Sequence, residues 1–522
     1  MVTTRPIPVK LVSAQPKLGK QQRWLPRHQQ VAVVSVITAT LMLVSIVSYA
    51  LRSGEAEAVD RSVQANSQNG ENKIDPPHLD RPVAKTLPAN PIPRSDASSK
   101  ATTAPALILP MPKPRAIATA IGAPIPPPKN EREVAEWVLR LGGTLELSGN
   151  RPVGNKADLG VDPVEISGIT LSGESIDLPG GDLSPLLLVP KLKSLSLSGV
   201  SLTNESLEPL RKLTSLQDFQ IGGAPQLTPA GFGFLRFFKS ANRIIIYDNT
   251  RFGDEGAANL ADLTQLRDLQ LGGIQAGVGI TDVGLQHLAK LTRIVNLNLC
   301  GNAFTGDGFK HLHGLTRIKV LSLEQTTFTD EGMKHLGYFT ELEELNLNDW
   351  HSRSTITSAG VKHLEPCIRL RKLELNTSEM DDEGLLSLGK LTELQWLDLK
   401  GAKVSGEGWG HLQNLKRLTI LLCDGMPLDA EVALPHVQHL TALNRLSLYG
   451  IATVTDDSLR HLIGMSELQS LGLGATGISD AGLTHLAKMK NLRSASVAYC
   501  QVTAAGAEAL RKALPDCELH HE

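Results

Sequence analysis

Cysteine is scarce. The 522 residues hold five, with no CxxC pair and no metal-ligand spacing, which excludes a disulfide framework and a cysteine-based metal site. Net charge is −2, so the basic face that a dedicated nucleic-acid binder needs is missing. Aromatics make up only 4% of the chain, while leucine is abundant. Catalytic signatures are missing too: there is no GxSxG elbow, HExxH helix or Walker lysine motif. The stretch "GVGITDVG" is Gly-rich, but it feeds a repeat helix and reads as an insertion loop rather than a phosphate cradle. The chain reads as non-catalytic, and no cofactor or metal is implied.

What is present falls into zones. Residues 1–30 carry Arg5, Lys10, Lys17, Lys20, Arg23 and Arg27 and no acid, a basic cytoplasmic tail. Residues 31–51, "VAVVSVITATLMLVSIVSYAL", are uncharged and span roughly 30 Å as a helix, the thickness of a hydrocarbon core. The basic flank keeps the N-terminus cytoplasmic and sends the remainder outward. The alternative is a signal peptide cleaved near "AEA" at 56–58, which would leave a secreted protein. Residues 52–129 hold fourteen prolines between Pro76 and Pro128 and no usable hydrophobic period, so they read as a disordered tether.

Residues 130–165 read as an N-terminal cap. Asn130 is placed as N-cap to "EREVAEWVLR", whose Val134, Trp137, Val138 and Leu141 share one helical face. Gly142-Gly143 ends the helix, and "TLEL" is a short strand. From 166 to 522 a pattern "LxxLxL" recurs. Its second strand leucine aligns at Leu171, Leu197, Ile221, Ile246, Leu271, Leu299, Leu323, Leu347, Leu375, Leu399, Cys423, Leu448, Leu473 and Val497, fourteen copies 24–28 residues apart. Leu147 and Leu519 mark capping half-repeats. Each copy has a two-residue alternation followed by a 3.6-residue one, hence one strand and one helix per coil. Stacked in parallel, the strands would form a sheet about 67 Å long. Thr203, Thr228, Thr281, Thr305, Thr329, Thr357, Asp381, Ser405, Asp429, Thr455, Ser479 and Thr503 are placed as helix caps. The acids just after them, as in "TDEG", suit the helix dipole.

"TDVGLQHLAKL" (281–291) and "SDAGLTHLAKM" (479–489) carry a resemblance. The chain resembles the leucine-rich repeat proteins, in the subclass with ribonuclease-inhibitor-like and F-box-protein-like helical repeats. It is also similar to bacterial membrane-anchored envelope proteins of that kind. The resemblance implies an α/β leucine-rich repeat solenoid: a horseshoe with a parallel concave sheet and convex helices, binding other macromolecules. The asparagine that many such repeats keep three residues past the strand occurs here only as Asn249 and Asn302, so no continuous asparagine ladder is expected.

Residues flanking the strand leucines are expected on the concave face. Those are Asn298, Cys300, Ser322, Glu324, Asn346, Asn348, Glu374, Asn376, Asp398 and Lys400, with Trp396, Asp424 and Tyr449 from later copies; the binding candidates among them are Asn298, Glu324, Asn346, Asn348, Glu374, Asn376, Trp396, Asp398 and Tyr449. Two 28-residue repeats carry insertions at 272–280 and 348–356; the second adds Trp350 and Arg353, residue types favoured at binding hot spots. Twelve residues before each strand leucine lies a histidine column: His287, His311, His335, His363, His411, His436, His461 and His485, with Ser387 breaking it. With no paired Cys, Asp or Glu recurring beside it, the column reads as imidazoles that pack at the helix flank and hydrogen-bond the next repeat. Cys423 and Cys517 read as core residues, Cys300 as a concave-side thiol, and Cys500 with Cys517 as unbridged.

The sequence therefore reads as a membrane-anchored, outward-facing recognition protein with a protein partner or cell-surface ligand. The alternatives are a structural envelope component without a discrete ligand and, further off, an enzyme acting on envelope polymers through the concave carboxylates.

Overall fold

A computed structural model describes residues 127–521 except 150, 161–162, 174–175, 177, 249–250, 273–278, 350–354 and 377–378. The basic tail, the uncharged run at 31–51 and nearly all of the Pro-rich segment lie outside the described residues. No described helix is long and apolar enough to cross a membrane.

Helix α1 (Glu131–Arg140) starts as its sequence dictates. Asn130 accepts a hydrogen bond from the Glu133 N–H, and Val134, Ala135, Trp137 and Val138 are buried. Gly142 takes φ +84°, and Gly143 packs so closely that a Cβ would stand 2.7 Å from Leu171 and 2.8 Å from the Thr170 carbonyl. Strand β1 (Thr144–Leu147) then pairs antiparallel with β2 (Arg151–Val153) and with β3 (Ile166–Ser172). The antiparallel cap covers the first edge of the parallel sheet, an arrangement that blunts an otherwise open template for strand addition.

From β3 onward every pairing is parallel and sequential, through Ser194–Ser198 and thirteen further strands to Glu518–His520, in a 17-stranded sheet. One inward leucine column runs Leu297, Leu321, Leu345, Leu373, Leu397, Leu421 in strict register, each buried. Phenylalanines reinforce it in two places: Phe219 with Phe234 and Phe238, and Phe304 with Phe309 and Phe328. The sheet is open, and the architecture is a leucine-rich repeat solenoid. No single coil buries its leucines alone.

Each coil returns through a helical segment, as expected, but its kind varies. It is an α-helix at Asp382–Leu388 and Ala430–Val437, a short α turn continuing into a 3₁₀ turn at Asp282–Leu285 and Gln286–Leu288, and entirely 3₁₀ at Glu407–Asn414. With 24 residues per coil, a 3₁₀ turn covers more distance per residue, about 2.0 Å against 1.5 Å.

The "TDxG" phrase is also more than a dipole device. Asp330 Oδ1 accepts from the Thr357 N–H at 2.8 Å, and its Oδ2 from the Thr357 hydroxyl at 2.6 Å, one repeat on. Thr357 Oγ1 in turn accepts from the Ala359 N–H at 3.2 Å and caps the next helix. Asp254–Thr281, Asp382–Ser405, Asp456–Ser479 and Asp480–Thr503 repeat the clamp, and Asp282 holds both the N–H and the hydroxyl of Thr305 through Oδ2. The glycine of the phrase makes room for it: a Cβ on Gly360 would stand 2.2 Å from Asp330 Oδ1. Two residues past eleven of the aligned leucines the backbone turns left-handed. Glycine holds most of these turns, but Asp248, Gln325, Ala475 and Tyr499 hold four.

Candidate functional site

The strands Asn296–Asn298 through Arg445–Ser447 each bury a central leucine and turn the residues on either side away from the core. Asn298, Ser322, Asn346, Glu374, Asp398, Leu422 and Ser447 lie in one register row. Two residues on, Glu324, Asn348, Asn376, Lys400, Asp424 and Tyr449 form a second row, with the backbone ladder still running beneath them, as in Gln325 N–H to Asn348 O at 2.9 Å and Gly425 N–H to Tyr449 O at 2.8 Å. Trp396 sits in a third row between Lys372 and Ile420. Nine sequence-expected binding candidates thus share one face.

Several of them serve the backbone. Asn298 Oδ1 accepts from the Cys300 N–H, Asn346 Oδ1 from the Asn348 N–H and Asp398 Oδ1 from the Lys400 N–H, the same local turn in three repeats. Asn348 Oδ1 accepts from the Asn376 N–H at 3.1 Å. Asp398 departs from expectation: it is 4% exposed, in a face expected to be solvated. Burial pushes its carboxyl above the usual carboxylate range, partly opposed by Lys400, whose Nζ lies 3.3 Å away and 3.8 Å from Asp424.

The remaining groups point outward with chemistry to offer. Glu324 is half-buried and accepts from Asn346 Nδ2 at 3.3 Å. Burial, and then the charge of Glu374, push its carboxyl up. Glu324 has no ion pair among the described residues. Glu374 pairs with Lys372 at 3.0 Å, and the Lys372 ammonium stands 5.0 Å over the Trp396 ring. The Trp396 Nε1 is buried without an acceptor among the described residues. Tyr449 is 45% exposed, and its ring lies close over Gly474. Its N–H and the Ser447 hydroxyl both donate to Asp424 Oδ1. Lys372 was missed from the sequence, although it stands two residues before Glu374 on the same strand face and period-2 alternation marks it.

Trp350 and Arg353 lie outside the described residues, as do most of the two insertions. Cys300 faces the open side but is no ready nucleophile: burial pushes its thiol up to about 11, and its Sγ contacts Ser322 Oγ at 3.0 Å. Cys423 and Cys517 are buried and all five cysteines are free. The histidine column is not a hydrogen-bonded ladder. His335 contacts His313 and His461 lies 3.5 Å from Glu431, whereas His485 Nδ1 is buried without a partner among the described residues. His436 packs on Gly410 of the preceding coil, whereas His311 and His411 are exposed, so the column shares a position rather than a contact. Asn302 ties its own coil to the preceding one. Buried, it donates to the Leu271 and Leu299 carbonyls and accepts from the Ile280 N–H.

No protein-family model matches the chain, and no curated protein matches it. Among solved structures it is similar to an internalin from Listeria monocytogenes, at 19% identity and TM-score 0.47 over 74% of this chain and 93% of that one. A leucine-rich repeat protein of Leptospira interrogans matches at 18% identity and TM-score 0.46 over 68% and 89%. A plant peptide hormone receptor, solved with its peptide, matches at 14% and 0.40 over 64% and 58%. The leucine-rich repeat fold is established by this chain's own strand order and repeat length.

Proposed function

We propose that this is a recognition protein whose open sheet face, from Asn298 to Tyr449, binds a partner protein. The observation that carries this is a parallel sheet face that no described element covers, with outward groups held in place. Parallel sheets are ordinarily covered on both faces. Glu324 and Glu374 favour a basic side chain on the partner, and Trp396 and Tyr449 offer flat apolar area beside it. The reading extends to the ends of the chain as sequence supports it: the uncharged run at 31–51 anchors the protein with its N-terminus in the cytoplasm, and the Pro-rich segment tethers the repeats outside.

The test is affinity capture from envelope extracts with the full chain, beside a Glu324→Lys/Glu374→Lys variant and a Lys334→Glu control on the helical side. A protein retained by wild type and control but lost from the double variant supports the reading. Identical capture by all three counts for the structural-component alternative. Protease access to an N-terminal tag in intact cells tests the orientation; cleavage there contradicts it.

A further inference from the structure

Outside the open face, one contact between coils stands apart. His313 Nε2 lies 3.1 Å from His335 Nδ1, with the rings 5.1 Å apart between centroids and tilted by 43°. Tyr338 stacks on His313, centroid to centroid 3.7 Å and 16° from parallel. His335 belongs to the recurring histidine column, and His313 does not. At the position of His313 the neighbouring copies carry Ala289 and Gly337, so the pair occurs once where the column runs on.

We propose that His313 and His335 form a two-imidazole site for a divalent transition metal ion, Cu²⁺ or Zn²⁺, joining two consecutive coils on the helical side. Two nitrogens each about 2.0–2.1 Å from one ion, at angles between square and tetrahedral, stand about 2.9–3.4 Å apart. The observed 3.1 Å falls in that interval before any ion arrives. The nitrogen spacing thus suits an ion, Tyr338 stacks on one ring, and each ring need only turn so that both lone pairs meet the ion beside the N–N line. Without metal, one ring must donate to the other. When the ion binds, both facing nitrogens present lone pairs, and the shared proton moves to the outer nitrogen of the ring that donated it. No acid need be taken up or released above the imidazole range.

Ligand chemistry narrows the ion. No group of three or more His, Cys, Asp or Glu side chains converges among the described residues, so solvent completes the coordination. Two neutral imidazoles suit Cu²⁺ best and Zn²⁺ next, and do not suit Mg²⁺ or Ca²⁺, which prefer oxygen. The charged groups that His335 feels are balanced in sign. Asp307 and Glu331 draw positive charge in, while Lys310 and the His313 ring oppose it; His313 feels His311. The two carboxylates are each paired with a lysine, Lys310 and Lys334. Protons compete with the ion, so binding fades as pH falls below the usual imidazole range of about 6.5.

The experiment is a calorimetric titration of the full chain with Cu²⁺ and separately with Zn²⁺ at pH 7.5, with electron paramagnetic resonance on the copper sample. Wild type is expected to show one equivalent tighter than the background of its other histidines, with two nitrogens on copper. His313→Gln and His335→Ala should each weaken that equivalent by about tenfold or more. His311→Ala should leave it unchanged, and excess Mg²⁺ should not compete. Circular dichroism checks that each variant folds, and loss of either ring alone is informative. Loss with only one of the two variants, or with neither, overturns the proposal, as does a copper signal with one nitrogen.

Discussion

Asp330 grips Thr357 of the next coil through both carboxylate oxygens, and Gly360 leaves the space in which that carboxylate sits. Three residues of one phrase therefore work in two repeats at once. Thr caps its own helix, Asp reaches forward, and Gly receives the Asp from behind.

Removing the clamp by Asp330→Ala should destabilise the protein by about 1.5–3 kcal/mol, the range for hydrogen bonds to a charged group. Gly360→Ala should also destabilise, although Gly→Ala in a helix ordinarily stabilises by about 1 kcal/mol. In the Asp330→Ala background the Gly360→Ala penalty should shrink, because the oxygen it meets is gone. Denaturant unfolding of the four proteins measures this. Strict additivity would refute the shared-space explanation.

Asp398 and Glu324 have carboxyls raised by burial. The native state therefore takes up protons more readily than the unfolded chain. Their stabilising contribution is complete below the unfolded carboxylate range, about 3.9–4.3, and is lost as pH rises through the higher native values. Asp398→Asn keeps an acceptor for the Lys400 N–H. It should flatten this loss between about pH 4 and 7 and match or exceed wild-type stability at pH 7. Melting temperatures across that interval decide it; an unchanged slope with lower stability would contradict it.

His313 and His335 shift the other way, held below the usual imidazole range chiefly by burial. Here the unfolded state takes up protons first. Their contribution is present above about pH 6.5 and disappears as pH falls through the lower native values. The metal-free protein should lose melting temperature from pH 7 to 5, and His313→Gln should lessen the slope. A flat profile for wild type would go against this.

Ala475 turns left-handed at φ 55°, where most copies carry glycine. Ala475→Gly should relieve about 1 kcal/mol of strain, partly offset by the greater freedom of unfolded glycine. A higher melting temperature is expected; a fall of similar size would mean the alanine side chain packs favourably in that turn.

The fold was legible because leucine spacing is a coarse signal repeated fourteen times. An error in one copy is corrected by the next. Alternation about each strand leucine placed Asn298, Asn346 and Glu374 on a common face without any structure. The depth of that face was not legible. Asp398 and Glu374 stand one repeat apart in the same row, and only the packing beside Asp398 buries it. Nor could the sequence reveal the forward reach of Asp330, since a helix-start acid looks the same whether it serves its own dipole or the next coil. His313 was invisible for a similar reason. It lies outside the recurring column, and its partner is set by the lateral spacing of coils.

The most direct test of the recognition account is site-specific photo-cross-linking in intact cells. A photoreactive residue would replace Glu374 on the open face or Glu331 on the helical side of a neighbouring repeat. The account predicts a discrete protein adduct from position 374 and none from 331. Adducts from 331 alone, or the same adducts from both, would contradict the open sheet face as the binding surface.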